Sequence, residues 1–453
     1  MIKLSRLPFL TLLLFLALPA CHKNGDAAGG GALTHKATAY PGKLAHDWID
    51  LASQMIKENY LYGPHAARTF GYLGLTAWES VCHGIPDGKS MAGQINDYAE
   101  AASFDPETEY DWGIVLGSAM RTVFPALIEN INNAQRSQVD VLAAQQESEL
   151  MKNGISELVR QDSRDLGVSI GKRITDRMRK DGRELIRNIV TTIPARDDAH
   201  KWYWDPSTLG QTPVEPVWGT LRTFVIDNAE ICQPEPPFPY SETPGTDMYQ
   251  QAKEVFDIDP TPTNTGIAYQ WEDGVGRSSS PAGHWVSIAR QLLERGNNNL
   301  AESAKTYCLL GFAVADGFSA CWYVKYKYFL LRPVTYIREV FDQNWTPVVN
   351  TPPYPDYMSC AAVMGGVAPA VLSHIFGDTG FIDRTHQGSP LYTPEGGPFI
   401  LPERTFYSLT QAGEEQMFSQ VIGGMHFRRS CEEGLKSGRC IGGIILKRID
   451  FGY

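Results

Sequence analysis

The sequence predicts an all-α protein built from packed helical bundles. Apolar residues recur at helical spacing over long stretches, whereas the alternating pattern of a half-buried strand is nearly absent. An apolar fraction of 43% is sufficient for a folded protein and excludes a disordered one. The length of 453 residues is too great for one small core, so we expect roughly two to three packed units.

The predicted helices fall on both sides of a proline-rich segment. Helical periodicity runs through residues 45–84 and 114–192, with a polar, charge-rich stretch at 134–166. Residues 194–245 contain nine prolines, which exclude long helices and predict an irregular segment that wraps the bundles. The helical pattern then returns, and we expect helices at 247–257, 283–297, 299–332, 360–377 and 405–423.

The N-terminal residues have the pattern of an export signal. Lys3 and Arg6 precede an apolar run at residues 7–20 that is too short to span a bilayer. Ala20 stands directly before Cys21, which resembles the lipobox of bacterial lipoproteins. We therefore predict a signal peptide at residues 1–20, lipidation at Cys21 and a flexible tether at residues 21–39. The alternative is an ordinary cleaved signal peptide followed by an incidental cysteine.

Charge and hydropathy restrict the partners and the location. With 40 Lys and Arg against 51 Asp and Glu, the formal net charge is −11. Such an acidic chain is not expected to bind nucleic acid or to adhere electrostatically to an anionic membrane. No later stretch is expected to span a bilayer. We therefore expect an exported bacterial lipoprotein, anchored by its lipid alone and facing the periplasm or the cell exterior.

Cysteine usage is compatible with export but does not fix a disulfide pattern. The chain has eight cysteines, and if Cys21 carries lipid, at least one of the others is free or pairs with another chain. Cys431 and Cys440 are close enough in sequence to suggest a local bridge, which the sequence does not establish. No cysteine or histidine pair has the spacing of a zinc site.

Two motifs in the last third suit an anion. Lys325 and Arg332 are seven residues apart, so on one continuous helix ending at Pro333 they would share nearly the same face. Ser359 follows a proline-rich approach and begins an apolar helix, where free N–H groups favour an anion. The alternatives are a surface cation pair and a serine that only caps its helix.

A third motif centres on His426. Gly423 and Gly424 precede the histidine, and Arg428 and Arg429 follow it. The glycines allow close backbone approach, which would suit a histidine that binds a ligand. The alternative is a histidine with a purely structural role.

In this order and spacing, the motifs K-x6-R-P, the proline-rich turn with Ser359 and S-x6-H resemble the vanadium-dependent haloperoxidases and the related type 2 phosphatidic acid phosphatases. The similarity extends over about residues 40–453 and includes residues 68–79, 216–219, 283–285, 316, 345–347, 383–386 and 426–427. The resemblance implies one helical domain at 40–453, with its motif-bearing part at about 299–453. It also implies two packed four-helix bundles and a site for vanadate or phosphate.

The resemblance also implies roles for individual residues. Lys325 and Arg332 match the cations that hold the oxyanion, and Ser359 matches a serine that hydrogen-bonds it. Cys360 stands at the usual glycine position, whose backbone N–H binds the oxyanion. His426 matches the histidine that binds vanadium in the haloperoxidases and attacks phosphorus in the phosphatases.

Two family positions are altered in this sequence. The general acid–base histidine would fall at Ala361, and a third cation, an arginine, would fall at Gln420. A positioned acid–base contributes about 10²- to 10⁴-fold in rate, and a charge-assisted hydrogen bond about 10- to 100-fold in affinity. Residues that could replace them in space are His284, His374 and His386 for the acid–base, and Arg428 and Arg429 for the cation.

Three hypotheses for function follow. The first is an exported haloperoxidase-like protein that uses vanadate at His426, with peroxide and halide as substrates and with activity reduced or lost through Ala361 and Gln420. The second is an acid phosphatase with His426 as nucleophile. The third is a catalytically silent lipoprotein that keeps the helical scaffold as a binding module.

Overall fold

A computed structural model of the chain describes residues 36–187, 189–206, 210, 212–388, 390–392 and 398–453. The predicted signal peptide, Cys21 and most of the tether lie outside the described residues. Where the description begins, the chain is already packed, because Ala37–Ala39 form a 3₁₀ helix with Ala37 fully buried. The packed body therefore starts a few residues before the predicted end of the tether at residue 39.

The described residues are mainly helical, as predicted from the sequence. The α-helices run in the order α1 (Lys43–Glu58), α2 (Gly63–Glu79), α3 (Trp112–Leu127), α4 (Asn133–Met151), α5 (Glu157–Arg179), α6 (Arg183–Ile186), α7 (Asp247–Asp257), α8 (Pro262–Gln270), α9 (Ser280–Arg295), α10 (Leu300–Tyr328), α11 (Pro333–Val340), α12 (Cys360–Phe376), α13 (Leu409–Ile422) and α14 (Arg428–Arg448). Further 3₁₀ turns occur at Cys82–Gly84 and Trp218–Thr220.

The long helices form two groups that share one core. Helices α1 to α5 pack among themselves, and α9, α10, α12, α13 and α14 form the second group. The two groups meet where α2 packs along α10. Helix α10 is almost entirely buried because it contacts both groups, and one large apolar cluster runs through them.

Close helix contacts in the second group depend on glycine. A Cβ atom on Gly413 of α13 would lie 2.1 Å from the carbonyl oxygen of Gly365 in α12. A Cβ atom on Gly438 of α14 would lie 2.2 Å from the carbonyl oxygen of Val363. These contacts leave no space for a side chain, and they hold α13 and α14 directly against α12.

The proline-rich segment is irregular, as its composition predicts. Between residues 194 and 245, the regular element in the described part is the turn Trp218–Thr220. The segment is fixed to the core by Asp316 of α10, whose carboxylate accepts the backbone N–H groups of Phe224, Val225 and Ile226 at 2.6, 2.7 and 2.9 Å. This buried carboxylate satisfies three donors that would otherwise lack partners.

Several elements were not predicted from the sequence. Helices α8, α11 and α14 are additional. Two short antiparallel strand pairs are also present: Phe381–Asp383 (β1) pairs with Arg404–Phe406 (β4), and Pro390–Tyr392 (β2) pairs with Pro398–Ile400 (β3). Helix α14 contains four glycines, which weaken its intrinsic helical preference. Its close packing on α12 requires glycine at Gly438, so tertiary contacts override that preference.

The suggested bridge between Cys431 and Cys440 is wrong. Disulfides join Cys232 to Cys440 and Cys321 to Cys360, over 208 and 39 residues. Cys431 is a buried free thiol, as are Cys82 and Cys308. Both observed bridges join distant segments, which local spacing in the sequence does not reveal.

The expectation that no later stretch resembles a membrane span needs correction for α10. Among the described residues, Leu300–Tyr328 is the one helix long and apolar enough to cross a membrane by length and composition. In the folded chain 94% of its most apolar window is buried. Its apolar sequence is explained by its position at the centre of the core.

Candidate active site

A cavity of about 380 Å³ lies where α12 begins and α13 ends. Its wall includes Cys360, Ala361, Gln420 and His426, together with a turn that follows α8. The close packing of α12, α13 and α14 brings these positions together. The cavity is thus built from two of the three motifs and from both positions that depart from the family pattern.

Lys325 and Arg332 converge on this region, but they do not lie on one helix. Helix α10 ends at Tyr328, and Phe329 adopts a left-handed conformation with φ of 49°. Arg332 then caps α11, with Pro333 at its first turn. The prediction of a shared helical face is therefore wrong, because the chain turns between the two cations.

The two cations are instead held by one short segment. Lys325 Nζ donates to the carbonyl oxygens of Pro355 and Asp356 at 2.9 and 3.0 Å. Arg332 Nε donates to the carbonyl oxygen of Tyr354 at 2.9 Å. Both charged groups also lie 5.0 Å from the centre of the Tyr354 ring, where the aromatic face stabilises a cation.

The positive charges of Lys325 and Arg332 are buried and are only partly neutralised by nearby negative charge. Lys325 and Arg332 are both 0% exposed, and among the ion pairs of the described residues none within 4.0 Å includes either side chain. Burial and the neighbouring Arg332 lower the pKa of Lys325 well below its ordinary value, and burial lowers the pKa of Arg332. Arg332 Nη2 is buried and has no hydrogen-bond partner. Buried donors of this kind call for an acceptor.

His426 is buried between Asp356 and Arg332. Its Nδ1 lies 3.0 Å from Asp356 Oδ1, and its Nε2 lies 3.0 Å from Arg332 Nη1. Burial, Arg332 and Lys325 together hold the pKa of His426 well below its ordinary value. Arg332 Nη1 and Ser430 Oγ also lie 3.4 Å from Nδ1, so both ring nitrogens have polar neighbours.

Asp356 is itself a buried acid in an unusual environment. Its side chain is 0% exposed. Burial raises the pKa of Asp356 to about 7, against the opposing charges of Arg332 and Lys325. No sequence pattern predicted a role for Asp356, although it lies three residues before Ser359 in the proline-rich motif.

Gln420, where the sequence resemblance implies an arginine, has a structural role. Its carbonyl oxygen accepts the backbone N–H groups of Met425 and His426 at 3.1 and 3.2 Å. Its side-chain amide donates to Ser419 Oγ at 3.0 Å. Gly424 has a φ of 75°, and a Cβ there would lie 2.8 Å from Trp345 and Pro347. Gln420 and the glycine together shape the loop that presents His426.

Ser359 and Cys360 lie at the N-terminus of α12. Ser359 is fully buried and caps the helix, because its Oγ accepts the N–H of Ala362 at 3.4 Å. Ser359 is therefore the helix cap, and the helix N-terminus lies beside the cavity through Cys360 and Ala361. The side chain of Cys360 is tied to Cys321 of α10 by the disulfide. This bridge links the N-terminus of α12 to the helix that carries Lys325.

The residues named as replacements for the lost family positions are engaged elsewhere. His374 is exposed near the far end of α12, about 20 Å from Ala361 along the helix. Arg428 Nε donates to Glu254 at 2.8 Å, and Arg429 Nε donates to the carbonyl oxygen of Pro236 at 2.9 Å. None of the three lines the cavity within the described part of the chain.

His284 and His386 belong to a buried ion network at one side of the cavity. His284 lies 3.0 Å from Asp273 through Nδ1 and 2.8 Å from Asp383 through Nε2. His386 Nε2 lies 3.0 Å from Asp273. Burial alone would lower the pKa of His284, but Asp273 and Asp383 outweigh it and raise the pKa to about 10. Both histidines are engaged by these carboxylates, and neither lines the cavity beside Ala361.

Comparison with known proteins gives a consistent assignment of the fold. Residues 340–451 match the family model described as the VCPO second helical-bundle domain. No curated protein sequence matches the chain. A crystal structure of a bacterial vanadium-dependent iodoperoxidase is similar at 27% identity and a TM-score of 0.80, over 91% of this chain and 97% of that chain.

Two further structures share the fold at lower identity. They are the holo and apo forms of a bacterial vanadium-dependent chloroperoxidase, at 16% and 15% identity. Both have a TM-score of 0.61 and cover 86% of this chain, which spans 93% and 94% of those chains. The predicted helical-bundle fold is therefore confirmed over nearly the whole described body.

Proposed function

This chain belongs to the vanadium haloperoxidase and type 2 phosphatidic acid phosphatase superfamily, and on that premise we propose that its cavity binds a tetrahedral oxyanion against His426, with vanadate as the cofactor of a haloperoxidase-like protein. The observation that carries the proposal is Arg332. Its guanidinium is 0% exposed, and its Nη2 has no hydrogen-bond partner. An oxyanion supplies both the missing acceptor and the missing negative charge.

The residues at and beside the cavity fit vanadate in type: Cys360 and His426 line it, and Lys325, Arg332 and Ser359 are outside its lining. His426 offers a neutral Nε2 as ligand, and Lys325 and Arg332 supply the positive charge. The hydroxyl of Ser359 and the backbone N–H of Cys360 complete the candidate binding set at the start of α12. When bound, vanadate would supply Lewis-acid activation of peroxide, so that a halide is oxidised to hypohalous acid.

The protein residues have three tasks in this proposal. Asp356 keeps the ring proton of His426 on Nδ1, so that Nε2 remains a ligand. Lys325 and Arg332 neutralise the oxyanion in a site that excludes bulk water, where each charge interaction is stronger than in solvent. Tyr354 supports both cations through its ring and its carbonyl oxygen, and it thereby fixes their positions.

We expect the activity to be reduced relative to a family member with both altered positions intact. Ala361 and Gln420 line the cavity, and alanine cannot transfer a proton. Loss of a positioned acid–base lowers rates by about 10²- to 10⁴-fold, and loss of one charged contact lowers affinity by about 10- to 100-fold. A weak haloperoxidase is therefore the expected phenotype unless another group moves the proton.

An acid phosphatase is the second candidate, and the state of His426 favours it as a specific alternative. A neutral Nε2 oriented by Asp356 is also what a nucleophile needs to attack phosphorus. Phosphate and vanadate have the same tetrahedral shape, so binding alone does not separate the two reactions. A catalytically silent binding module is the third candidate.

The test begins with binding and continues with turnover. We expect the purified protein to bind vanadate and phosphate, and Arg332→Ala to weaken that binding by about 10- to 100-fold. Arg384→Ala is the matched control, since this arginine is 52% exposed and outside the cavity. Iodide and bromide oxidation assays and a phosphate-ester assay then separate the candidates. Undetectable oxyanion binding at millimolar ligand would eliminate both enzymes.

We also propose that the protein is exported and anchored through lipid on Cys21. Two disulfides support this location, because such bridges persist in oxidising compartments. Metabolic labelling with a radioactive fatty acid should modify the natural chain and not Cys21→Ser. Labelling of the serine variant, or recovery of the natural chain in the aqueous phase after detergent partition, would contradict the anchor.

A further inference from the structure

We propose that Glu272 is the acid–base residue of this cavity and takes the place of the histidine that is absent at Ala361. The proposal rests on the oxyanion function proposed above and identifies the group that moves the proton. It concerns a side chain of the turn after α8, a segment that none of the three sequence motifs includes.

The placement of Glu272 carries the proposal. Glu272 lines the same cavity as Ala361 and His426, and its side chain is only 13% exposed. Its Oε2 lies 3.0 Å from Arg277 Nε, and Arg277 also lines the cavity. The wall that lacks a histidine at Ala361 and an arginine at Gln420 therefore contains a carboxyl group and a guanidinium from another element.

The turn that carries Glu272 is held firmly. The backbone N–H of Glu272 donates to the carbonyl oxygen of Tyr269 at 3.2 Å. The adjacent Trp271 stacks on His284 with ring centres 4.6 Å apart, and its Nε1 donates to Glu415 at 3.0 Å. A fixed backbone on both sides limits the movement of the carboxyl group, as an acid–base residue requires.

Two adjacent carboxyl groups here have opposite ionisation behaviour. Burial, with a smaller contribution from Asp273, raises the pKa of Glu272 to about 7, against the opposing charge of Arg277. Asp273 faces His284 and His386, whose charges and hydrogen bonds overcome burial and keep its pKa below the ordinary value. Such divergence between neighbouring acids is typical of a pair in which one group exchanges a proton and the other stays charged.

The other elements around Glu272 do not offset the raised pKa of its carboxyl group. Helix α12 presents Cys360 and Ala361 to the cavity, and neither carries a charge. The loop before α14 presents His426, which is neutral. Lys325 and Arg332 do not line the cavity, and an oxyanion bound at His426 would offset their charge. Glu272 is therefore a proton carrier that can both donate and accept near neutral pH.

The proton balance is defined for both candidate reactions. In phosphate-ester hydrolysis, His426 Nε2 forms a bond to phosphorus while the bond to the leaving oxygen breaks, and the Glu272 carboxyl protonates that oxygen. The Glu272 carboxylate then takes a proton from the water that displaces His426 from phosphorus. In halide oxidation, one halide ion, one hydrogen peroxide and one proton give hypohalous acid and water. Glu272 supplies that proton and is then reprotonated by solvent.

The first measurement uses sulfate, a tetrahedral dianion whose own charge is constant between about pH 5.5 and pH 8.5. We expect the sulfate affinity of the natural protein to fall as the pH rises through about 7, because Glu272 becomes negative. In Glu272→Gln that fall should shrink and not vanish, since Asp356 also titrates in this range. Glu414→Gln is the matched control, because Glu414 is exposed on α13. An identical pH dependence in the natural protein and Glu272→Gln would overturn the proposal.

The second measurement uses turnover of iodide with peroxide and of an aryl phosphate. We expect Glu272→Gln to lower kcat by about 10²- to 10⁴-fold and to change vanadate affinity at fixed acid pH by less than about 3-fold. Glu272→Asp keeps the carboxyl and should retain part of the rate with a displaced pH profile. It also provides a folded alternative if the glutamine variant does not fold.

The outcomes separate the two proposals. Turnover that is unchanged in Glu272→Gln would reject Glu272 and leave the oxyanion function intact. Absence of vanadate and sulfate binding in the natural protein would reject the oxyanion function and, with it, the role of Glu272. If the natural protein binds oxyanions without turnover, the sulfate measurement decides the role of Glu272.

Discussion

Asp356 is the acidic neighbour of His426 at the proposed oxyanion site. Asp356 Oδ1 lies 3.0 Å from His426 Nδ1, and Arg332 Nη1 lies 3.0 Å from Nε2 and 3.4 Å from Nδ1. A histidine alone could present either nitrogen. A proton on Nδ1, on the side of Asp356, would leave Nε2 for the oxyanion, and that arrangement would serve a metal ligand and a phosphorus nucleophile.

Replacement of this carboxylate should weaken oxyanion binding without removing the cations. We expect Asp356→Asn to lower vanadate affinity by about 10- to 100-fold, because the amide no longer fixes the His426 ring. Isothermal titration with vanadate gives the affinity, and Asp342→Asn on the surface is the control. Unchanged affinity would show that the His426 orientation is set by Arg332 alone.

If the resemblance places the acid–base at Ala361 and the third cation at Gln420 correctly, supplying both residues should raise the proposed activity. The double variant Ala361→His and Gln420→Arg places a proton donor and a cation in the cavity wall. We expect about 10- to 100-fold tighter vanadate binding and a higher kcat for iodide oxidation. Gln411→Arg, at an exposed position of α13, controls for added charge. Activity that appears only in the double variant would identify the natural chain as a lapsed enzyme.

The sequence predicted the residue types at the site better than their arrangement. The motifs around Lys325, Arg332 and His426 suggested an oxyanion site, and these three side chains do come together. Their contacts depend on Asp356 and on the turn with Glu272, whose burial is set by segments far away in the chain. Burial of a carboxyl group and its pKa depend on tertiary packing, so a local motif does not reveal them.

At the scale of elements, the start of α12 is the point on which the site depends. Ser359 caps the helix, Cys360 is tied to α10, and α13 and α14 pack on its glycines. Proline and periodicity were enough to predict this helix at 360–377. The end of α10 at Tyr328 was missed because Phe329 adopts a left-handed conformation, which its residue type does not favour.

The two disulfides should affect stability and binding differently. By the loop-entropy relation, removing the bridge of 39 residues destabilises the fold by about 4 kcal/mol. We expect Cys321→Ser with Cys360→Ser to lower both thermal stability and vanadate affinity, since the start of α12 loses its link to α10. Cys232→Ser with Cys440→Ser should lower stability alone. Equal affinities in the two double variants, measured by calorimetry below their unfolding temperatures, would refute a link between the bridge and the site.

At the scale of the whole molecule, the fold follows from composition and periodicity more directly than the site does. Long apolar periodic stretches predicted the helical class, and the prolines predicted the irregular segment. The close packing of α12 to α14 required glycine contacts that reduce helical preference in the sequence. The two helical groups are joined through α10, so the core and the site share one element.

Because of the ion network around His284, the free energy of unfolding should fall as the pH becomes alkaline. The pKa of His284 is raised from 6.5 to about 10, so its stabilising charge is fully present below pH 6.5 and is lost as the pH rises towards 10. We expect the free energy of unfolding in urea to fall over this interval, by at most about 1.4 kcal/mol per pH unit from this group. The lowered pKa values of Asp273 and Asp383 add a loss only at acid pH.

Histidine NMR tests the origin of that slope. The imidazole of His284 should remain protonated well above pH 7, with the exposed His374 as a reference resonance in the same spectrum. Titration of His284 near 6.5 would show that Asp273 and Asp383 do not hold its proton.

The sulfur atoms beside the cavity would affect how fast such a protein is inactivated by oxidation during turnover. Met425 lines the cavity, whereas Met358 and Met364 are 0% exposed. If hypohalous acid forms here, turnover with peroxide and bromide should oxidise Met425 to the sulfoxide before the buried methionines, as measured by peptide mass spectrometry. Peroxide without bromide is the control and should not produce this order. Cys360 differs, because the bridge to Cys321 leaves no thiol for the first step of oxidative damage. The cavity wall thus contains one sulfur atom that turnover would oxidise and another that its disulfide protects from oxidation.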